Sequence, residues 1–393
     1  MGAPADGNCN QPYRGRQDIP VNPYLLNGAA KASRSAQTAI TPALPARALP
    51  RGLLRSWALG LALTLAPGLA SAQATPSQVT VDISKAAVID MHFHAEPADG
   101  VGPPPVLICT PFDEFPYFDP GRGKRFIDRF NETACRHKLL SSRSSEEIKA
   151  GALAALRKDN IVAVASGPAE LVEDWRRAAP DHIISAIGFD LSDAPSIETL
   201  RTLHAEGRLA VIGEIGSQYD GAAPNDPRLE PYYALAEELD VPIALHVGLG
   251  PPGAAYQGMS HYRMRDSNPL LLEDVLVRHP KLRLYVMHAG WPMLNEMIGL
   301  LYAHPQVYVD VGVIDYVIPK KEFYRYLRTL VEAGFEKRIM YGTDNMVWPE
   351  TIDVALHNIR HAPFLSASQK RDILHDNAAR FLRLDTASAS AGH

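Results

Sequence analysis

From Ala87 onward the chain alternates short, β-branched apolar runs with longer stretches whose apolar residues recur at helical spacing. Short apolar runs of this kind suit strands buried on both faces, and the longer pattern suits amphipathic helices packed over them. The rhythm therefore predicts parallel βα units rather than hairpins. Eight runs fit the strand pattern: AVIDMHFH (87–94), IVAVAS (161–166), HIISAIGF (182–189), LAVIGEIG (209–216), VPIALHVG (241–248), LRLYVMHAG (282–290), VYVDVGV (307–313) and RIMYGTD (338–344). Eight is the number that closes a parallel barrel, so the predicted fold class is α/β, a (β/α)8 TIM barrel over residues 87–385.

The intervening helical patterns run from SEEIKAGALAALRK after Ser144 to PKKEFYRYLRTLVEAG, and several open on Pro, Ser or Asn as helix N-termini prefer. A last pair, PETIDVALHNIRHAPF and SASQKRDILHDNAARFLRL, is expected to cover the closing strand. Two long interruptions, Pro97 to Ser144 after strand one and Leu249 to Ser267 after strand five, lie at the C-terminal ends of strands. That is the face on which barrels carry their substrate contacts. No internal repeat of 20 to 50 residues appears beyond the βα rhythm, which excludes a solenoid.

Ahead of the barrel, RALPRGLLRSWALGLALTLAPGLASAQA offers three arginines, an apolar stretch broken by Pro67 and the small-residue end Ala70, Ser71, Ala72. It reads as a secretory signal peptide cleaved after Ala72, too short in its apolar part to span about 30 Å of hydrocarbon as a stable anchor. The expected organisation is a leader over 1–72, a linker over 73–86, the barrel, and a disordered tail over 386–393. The expected location is periplasmic or secreted. Residues 1–46 lack core-forming periodicity and make a long preamble to such a signal, which points to a translation start further downstream.

Residues 1–72 carry 7 Lys/Arg and 2 Asp/Glu, so their removal moves the formal net charge from −5 to −10. A balance this acidic argues against nucleic-acid binding and leaves a small molecule as the expected partner. Of three cysteines Cys9 leaves with the leader, while Cys109 and Cys135 remain in a loop exported to an oxidising compartment. A bridge between them would close a loop worth about 3 kcal/mol, against the alternative of two isolated thiols.

The chemistry gathers at strand ends. Alternate residues of a strand share a face, so His92 and His94 point together, with Met91 and Phe93 opposite. Strand four carries Glu214, strand five His246, strand six His288 and strand eight Asp344, and a closed barrel brings all six side chains to one rim. Two buried imidazoles without a partner are costly, which favours a metal for the His92 and His94 pair. Glu214 reads either as a ligand or as a buried carboxylate accepting backbone hydrogen bonds. His137, His204, His279, His304, His357, His361 and His375 are read as structural.

The motifs DMHFH, GEIGSQYDG, ALHVG, VMHAGWP, YGTDNMVWP and DNAARFL, in this order and spacing, resemble the amidohydrolase superfamily. The likeness is to the branch that groups metal-dependent hydrolases with aminocarboxymuconate semialdehyde decarboxylase, and it covers Val88 to Leu384. It implies that His92, His94, His246 and Asp344 ligate a divalent ion, zinc being the expected one for such donors, with Glu214 a ligand where a second ion is present. It further implies that Asp344 and His288 are catalytic: Asp344 shuttles a proton, and His288 orients or polarises the substrate carbonyl or binds the second ion. Many relatives form homodimers, which makes a homodimer a candidate assembly here.

The activity implied is hydrolysis of a small amide, lactone or ester by metal-activated water. The alternatives are a decarboxylase of the same branch and a non-catalytic metal- or ligand-binding protein, the last disfavoured by Asp344 in GTDN. Candidate substrate contacts are His261, Tyr262, Arg263 and Arg265 in the strand-five loop, and Arg122, Lys124, Arg125 and Arg129 in the first insertion. Trp291 and Trp348 either wall the pocket or cap the barrel top.

Overall fold

A computed structural model describes residues 86–115, 117, 119, 121 and 135–384. The predicted leader and its cleavage site, nearly all of the linker, Arg122, Lys124, Arg125, Arg129 and the tail lie outside the described residues.

All eight predicted barrel strands are present, in chain order: β1 (Val88–His94), β4 (Ile161–Ser166), β5 (Ile183–Phe189), β6 (Val211–Ile215), β7 (Ile243–Leu245), β8 (Leu284–Val286), β9 (Tyr308–Asp310) and β10 (Ile339–Met340). Each pairs in parallel with its neighbour in chain order, from β1·β4 through to β9·β10. The barrel closes between its first and last strands through Met91 N–H to Tyr341 O (2.9 Å) and Thr343 N–H to His92 O (3.1 Å). Helices return between the strands, beginning with Ser145–Asp159, where Ser144 accepts from the Glu147 N–H at the N-terminus and Asn160 ends the helix in the left-handed conformation.

Two apolar layers follow. A large outer cluster fills the space between strands and helices, and includes Phe93 with its ring edge on Trp175. A smaller inner cluster takes Ile89, Met91, Val162, Val164, Ala186, Val211, Ala244, Tyr285 and Met340 from inside the barrel. Burying a side chain of this size contributes about 1.5–3 kcal/mol, so both layers matter to the fold.

The structure differs from the sequence reading at several points. Met91 and Phe93 do not share a face: the pairing of β1 with β4 shifts register between Asp90 and Phe93, so Met91 joins the inner layer and Phe93 the outer. Such a bulge re-aims side chains and lets Met91 fill the barrel while His92 still points into it. Several strands are shorter than read, because the chain leaves the ladder before its functional residue: His246 follows β7, and His288 lies two residues beyond β8. The last predicted helix is broken into Ala367–Arg371, a wide turn and Asn377–Leu382. That final segment packs Ala378, Ala379 and Phe381 into the inner layer, with Phe381 against Tyr285 and Tyr308, and so plugs the barrel.

The first insertion holds a two-stranded antiparallel ribbon, β2 (Leu107–Cys109) with β3 (Lys138–Leu140), where only a loop was expected. Cys109 and Cys135 are bridged across it, with Cα atoms 5.3 Å apart. The insertion is fastened to the rim by Phe112 N–H to Val317 O (2.8 Å) and by Trp348 Nε1–H to Val106 O (2.9 Å). No helix among the described residues is long and apolar enough to cross a membrane.

Candidate metal centre

The six residues marked at strand ends converge as the barrel predicts. His92, His94, Glu214, His246, His288 and Asp344 form three overlapping groups, each with its ligand atoms within 4.8 Å of one another: His92, His288 and Asp344; His92, His94 and Glu214; Glu214, His246 and His288. His92 and His288 are buried completely or almost so, and His94, His246 and Asp344 expose less than a tenth of their surface.

Backbone and neighbours fix which nitrogen of each ring faces the centre. His92 Nδ1 lies 3.2 Å from Asp310 Oδ1, an acceptor, so Nδ1 carries the hydrogen and Nε2 turns toward Glu214 Oε2 at 3.2 Å. His246 Nε2 donates to Leu249 O (3.0 Å), and His288 Nδ1 donates to Gly312 O (2.9 Å). Carbonyl oxygens only accept, so the inward atoms, His246 Nδ1 and His288 Nε2, face one another 3.0 Å apart with lone pairs when both rings are neutral. His94 Nε2 sits 3.1 Å from both Glu214 Oε2 and Asp344 Oδ1, yet is aligned to hydrogen-bond with neither. With the rings neutral, lone pairs and carboxylate oxygens converge here, which is the donor set of a cation, and the residues fit a divalent metal through N and O atoms.

The electrostatics agree. Burial disfavours the charged form of His92, but the fields of Asp344, Asp310 and Glu214 outweigh it and hold the imidazole well above its ordinary range. Burial likewise opposes charging His94, and the Asp344, Glu214 and Glu96 carboxylates overcome it. Glu214 is pushed up by burial but held well below the usual carboxylate range by His92, His246 and His288. Asp344 is lowered in the same way by His92 and His94, against burial. His246 is lowered, first by burial and then by His288. Imidazoles held toward their charged form beside carboxylates held ionised show that the cluster favours positive charge at its centre.

Glu214 accordingly belongs to the cluster rather than to a backbone network. Its Oε2 faces His92 and His94, while its Oε1 is 2.5 Å from His246 Nδ1 and 3.7 Å from His288 Nε2. Its own N–H donates to Ser166 Oγ (2.7 Å), which pins the carboxylate's backbone to β4.

Close approach of backbone makes room for the rings. A Cβ at Gly312 would lie 2.6 Å from His92 Nδ1, and one at Gly342 would lie 2.6 Å from His92 Cβ. His288, Ala289 and Asp344 adopt positive φ (57°, 48° and 56°), a conformation that costs non-glycine residues about 1–3 kcal/mol and that clusters at functional sites. Tyr316 Oη–H holds the Asp344 carbonyl (2.7 Å), and Asn345 Oδ1 accepts from the His94 N–H (2.9 Å), so the turn after β10 is tied to β1.

The predicted substrate contacts are placed differently. His261, Arg263 and Arg265 are exposed, and Arg263 Nη1 donates to the carbonyls of its own loop at Ser260 and Tyr262. No contact joins these three to the metal-ligand cluster among the described residues. Tyr262 is buried, its hydroxyl donating to Gly248 O (3.1 Å) and accepting from the Gly250 N–H (2.7 Å). Trp291 is half-buried at the rim, stacked with Phe115 at 6.5 Å between ring centres and donating to Glu322. Trp348 is buried under the insertion.

Residues that sequence reasoning passed over include Asp310 and Tyr219, whose ring lies 4.9 Å from that of His246. Asp310 was visible as the one acidic residue in VYVDVGV, at the strand-end position the marked residues occupy on other strands. Tyr219 lies in the short turn after β6, and nothing in its spacing marks it.

Comparison with known proteins adds a family. The model of a family described as Amidohydrolase matches residues 89–384. Among curated proteins, Protein fluG of Emericella nidulans is 26% identical over 171 residues, which is 39% of this chain. The chain thus spans only 19% of that relative's length. Among solved structures, the barrel is similar to an uncharacterised TIM-barrel protein from Bordetella bronchiseptica, at 19% identity and TM-score 0.46, over 63% of this chain and 86% of that one. It is also similar to a probable 2-pyrone-4,6-dicarboxylic acid hydrolase from Acinetobacter baumannii, at 14% identity and TM-score 0.48, over 76% and 99%. A third is 5-carboxyvanillate decarboxylase from Novosphingobium aromaticivorans, solved with manganese, at 15% identity and TM-score 0.43, over 59% and 79%.

Proposed function

The chain belongs to the amidohydrolase family, and from that premise we propose that it is a metal-dependent hydrolase that cleaves a small amide, lactone or ester. His92, His94, His246, Glu214 and Asp344 would hold the metal, zinc being the expected ion for this mixture of nitrogen and oxygen donors. Glu214 offers one oxygen to the His92 and His94 side and the other to the His246 and His288 side, which supports two ions rather than one. When bound, a divalent ion brings the pKa of its water to about 7 and polarises a carbonyl.

The observation that carries hydrolysis is the placement of Asp344. Its Oδ1 is 3.1 Å from His94 Nε2, its Oδ2 is 3.9 Å from His288 Nδ1, and the histidines keep the carboxylate ionised at neutral pH. An ionised carboxylate at this spot can take the proton of an attacking water and return it to the leaving nitrogen or oxygen, which is general base and then general acid work. His288 spends its Nδ1–H on Gly312 O, so its neutral ring presents an acceptor to the site. Binding a second ion suits that tautomer; polarising a carbonyl requires the ring to be protonated. The half-buried Trp291 would wall the substrate at the rim, and His261, Arg263 and Arg265 would reach it only from the outer lip. The signal peptide read from the sequence would carry the enzyme to the periplasm or out of the cell, and a homodimer is a candidate assembly.

Product analysis on a panel of neutral esters, lactones and amides tests the reading. One new acid per bond broken, with no carbon dioxide, is expected. Carbon dioxide released from a carboxylated substrate, with no hydrolysis across the panel, would identify a decarboxylase instead.

A further inference from the structure

We infer that Asp310, at the end of β9, is the positioning residue that orients both His92 and His288 toward the metal centre; this rests on the metal-site reading above. One oxygen does the work. Asp310 Oδ1 lies 3.2 Å from His92 Nδ1, and it also accepts from the Gly312 N–H (2.8 Å) and the His288 N–H (3.3 Å). Gly312 in turn presents the carbonyl that receives His288 Nδ1–H (2.9 Å). A single atom thereby sets the tautomer of one ligand ring directly, and the tautomer and direction of a second through a tight turn.

The burial of Asp310 fits this role better than a purely structural one. The residue is fully buried, and its other oxygen, Oδ2, has no hydrogen-bond partner among the described residues. A carboxylate retained only for packing would satisfy both oxygens or be replaced by a neutral group, since burying an unpaired polar atom costs about 1–3 kcal/mol. What the charge achieves is local: it makes His92 Nε2 more basic as a ligand and holds the His288 turn, in which His288 and Ala289 both have positive φ. The space that lets Asp310 reach the His92 ring and the His288 backbone N–H comes from Gly312, where any side chain would meet His92.

The test compares zinc-loaded wild type with Asp310→Asn and Asp310→Leu. Zinc affinity is read by competition with a chromophoric chelator, and the His92 Nδ1–H is followed by 15N-resolved NMR. Asn keeps the shape and a neutral acceptor, so its zinc affinity should fall about 10-fold, and the His92 Nδ1–H resonance should move upfield as the charged acceptor is lost. Leu removes the acceptor, and its loss should approach about 100-fold. Should the Leu variant fail to fold, the Asn variant decides alone. Zinc affinity within twofold of wild type and an unmoved His92 resonance in Asp310→Asn overturn the inference. Wild-type protein that binds no zinc overturns the metal-site reading itself, and the two failures are thus distinct.

Discussion

The two ends of the same eight strands follow opposite rules. Toward their starts the strands are regular, and alternate residues such as Ile89, Val162 and Tyr285 fill the barrel, closed off by Phe381. Toward their ends the ladder breaks, φ turns positive at His288 and Asp344, and the interior holds imidazoles and carboxylates. The apolar end stabilises the fold and needs only bulk and shape. The polar end draws on that stability to hold lone pairs and negative charge close together, an arrangement that favours a bound cation.

If this division of labour is right, changes at one end should leave the other intact. Asp344→Asn should lower turnover about 10²- to 10⁴-fold, while the melting curve of the chelator-treated variant stays close to that of chelator-treated wild type. A collapse of the fold instead would show that the polar end carries structure as well. Phe381→Ala is the converse: a loss of about 3–5 kcal/mol in denaturant unfolding, with metal content per folded chain unchanged. Loss of metal in that variant would erase the distinction.

Removing the metal by dialysis against a chelator should cost stability by mass action, about 2.7 kcal/mol for an ion present at 100 times its dissociation constant, and should be reversed by readdition. An unchanged Tm would mean that the polar end is equally content without a cation.

The smallest effect concerns Asp190, at the end of β5. Burial, followed by Asp220, Asp193, Glu214 and Glu96, raises its carboxyl from 3.8 to about 7. The folded state therefore binds this proton more tightly than the unfolded chain. The associated stability is complete below the ordinary carboxylate range and is lost as pH rises toward about 7. Asp190→Asn should remove that slope and gain about 2 kcal/mol at pH 8 relative to wild type, the figure being reduced for partial exposure. Parallel pH profiles for the two proteins would contradict it.

The contrast between the ends also explains what the sequence could reveal. Runs such as IVAVAS and VPIALHVG mark strands because burial on both faces demands continuous apolar residues, and every barrel strand was legible for that reason. His92, His94, His246 and Asp344 stood out because a charged or imidazole group at the end of such a run is anomalous. The bulge in β1 was hidden, since Met91 and Phe93 are equally apolar and either could face inward. The positive φ values were hidden as well, because His288, Ala289 and Asp344 carry none of the glycine signal that usually announces them. The ribbon of the first insertion rests on short, partly polar segments whose pairing depends on the rim beneath, whereas the Cys109–Cys135 bridge could be read from two cysteines sharing one loop. Asp310 carried the same local mark, an acidic residue at the end of the run VYVDVGV, but its role lies in contacts to two other strands, which that mark does not convey.

The central claim is that the polar end is built for a cation, with Glu214 placed between two ligand sets. Elemental analysis of metal on protein purified without chelator tests it most directly. Two equivalents of divalent metal per chain are predicted, and a chain that is folded yet holds none would contradict the claim.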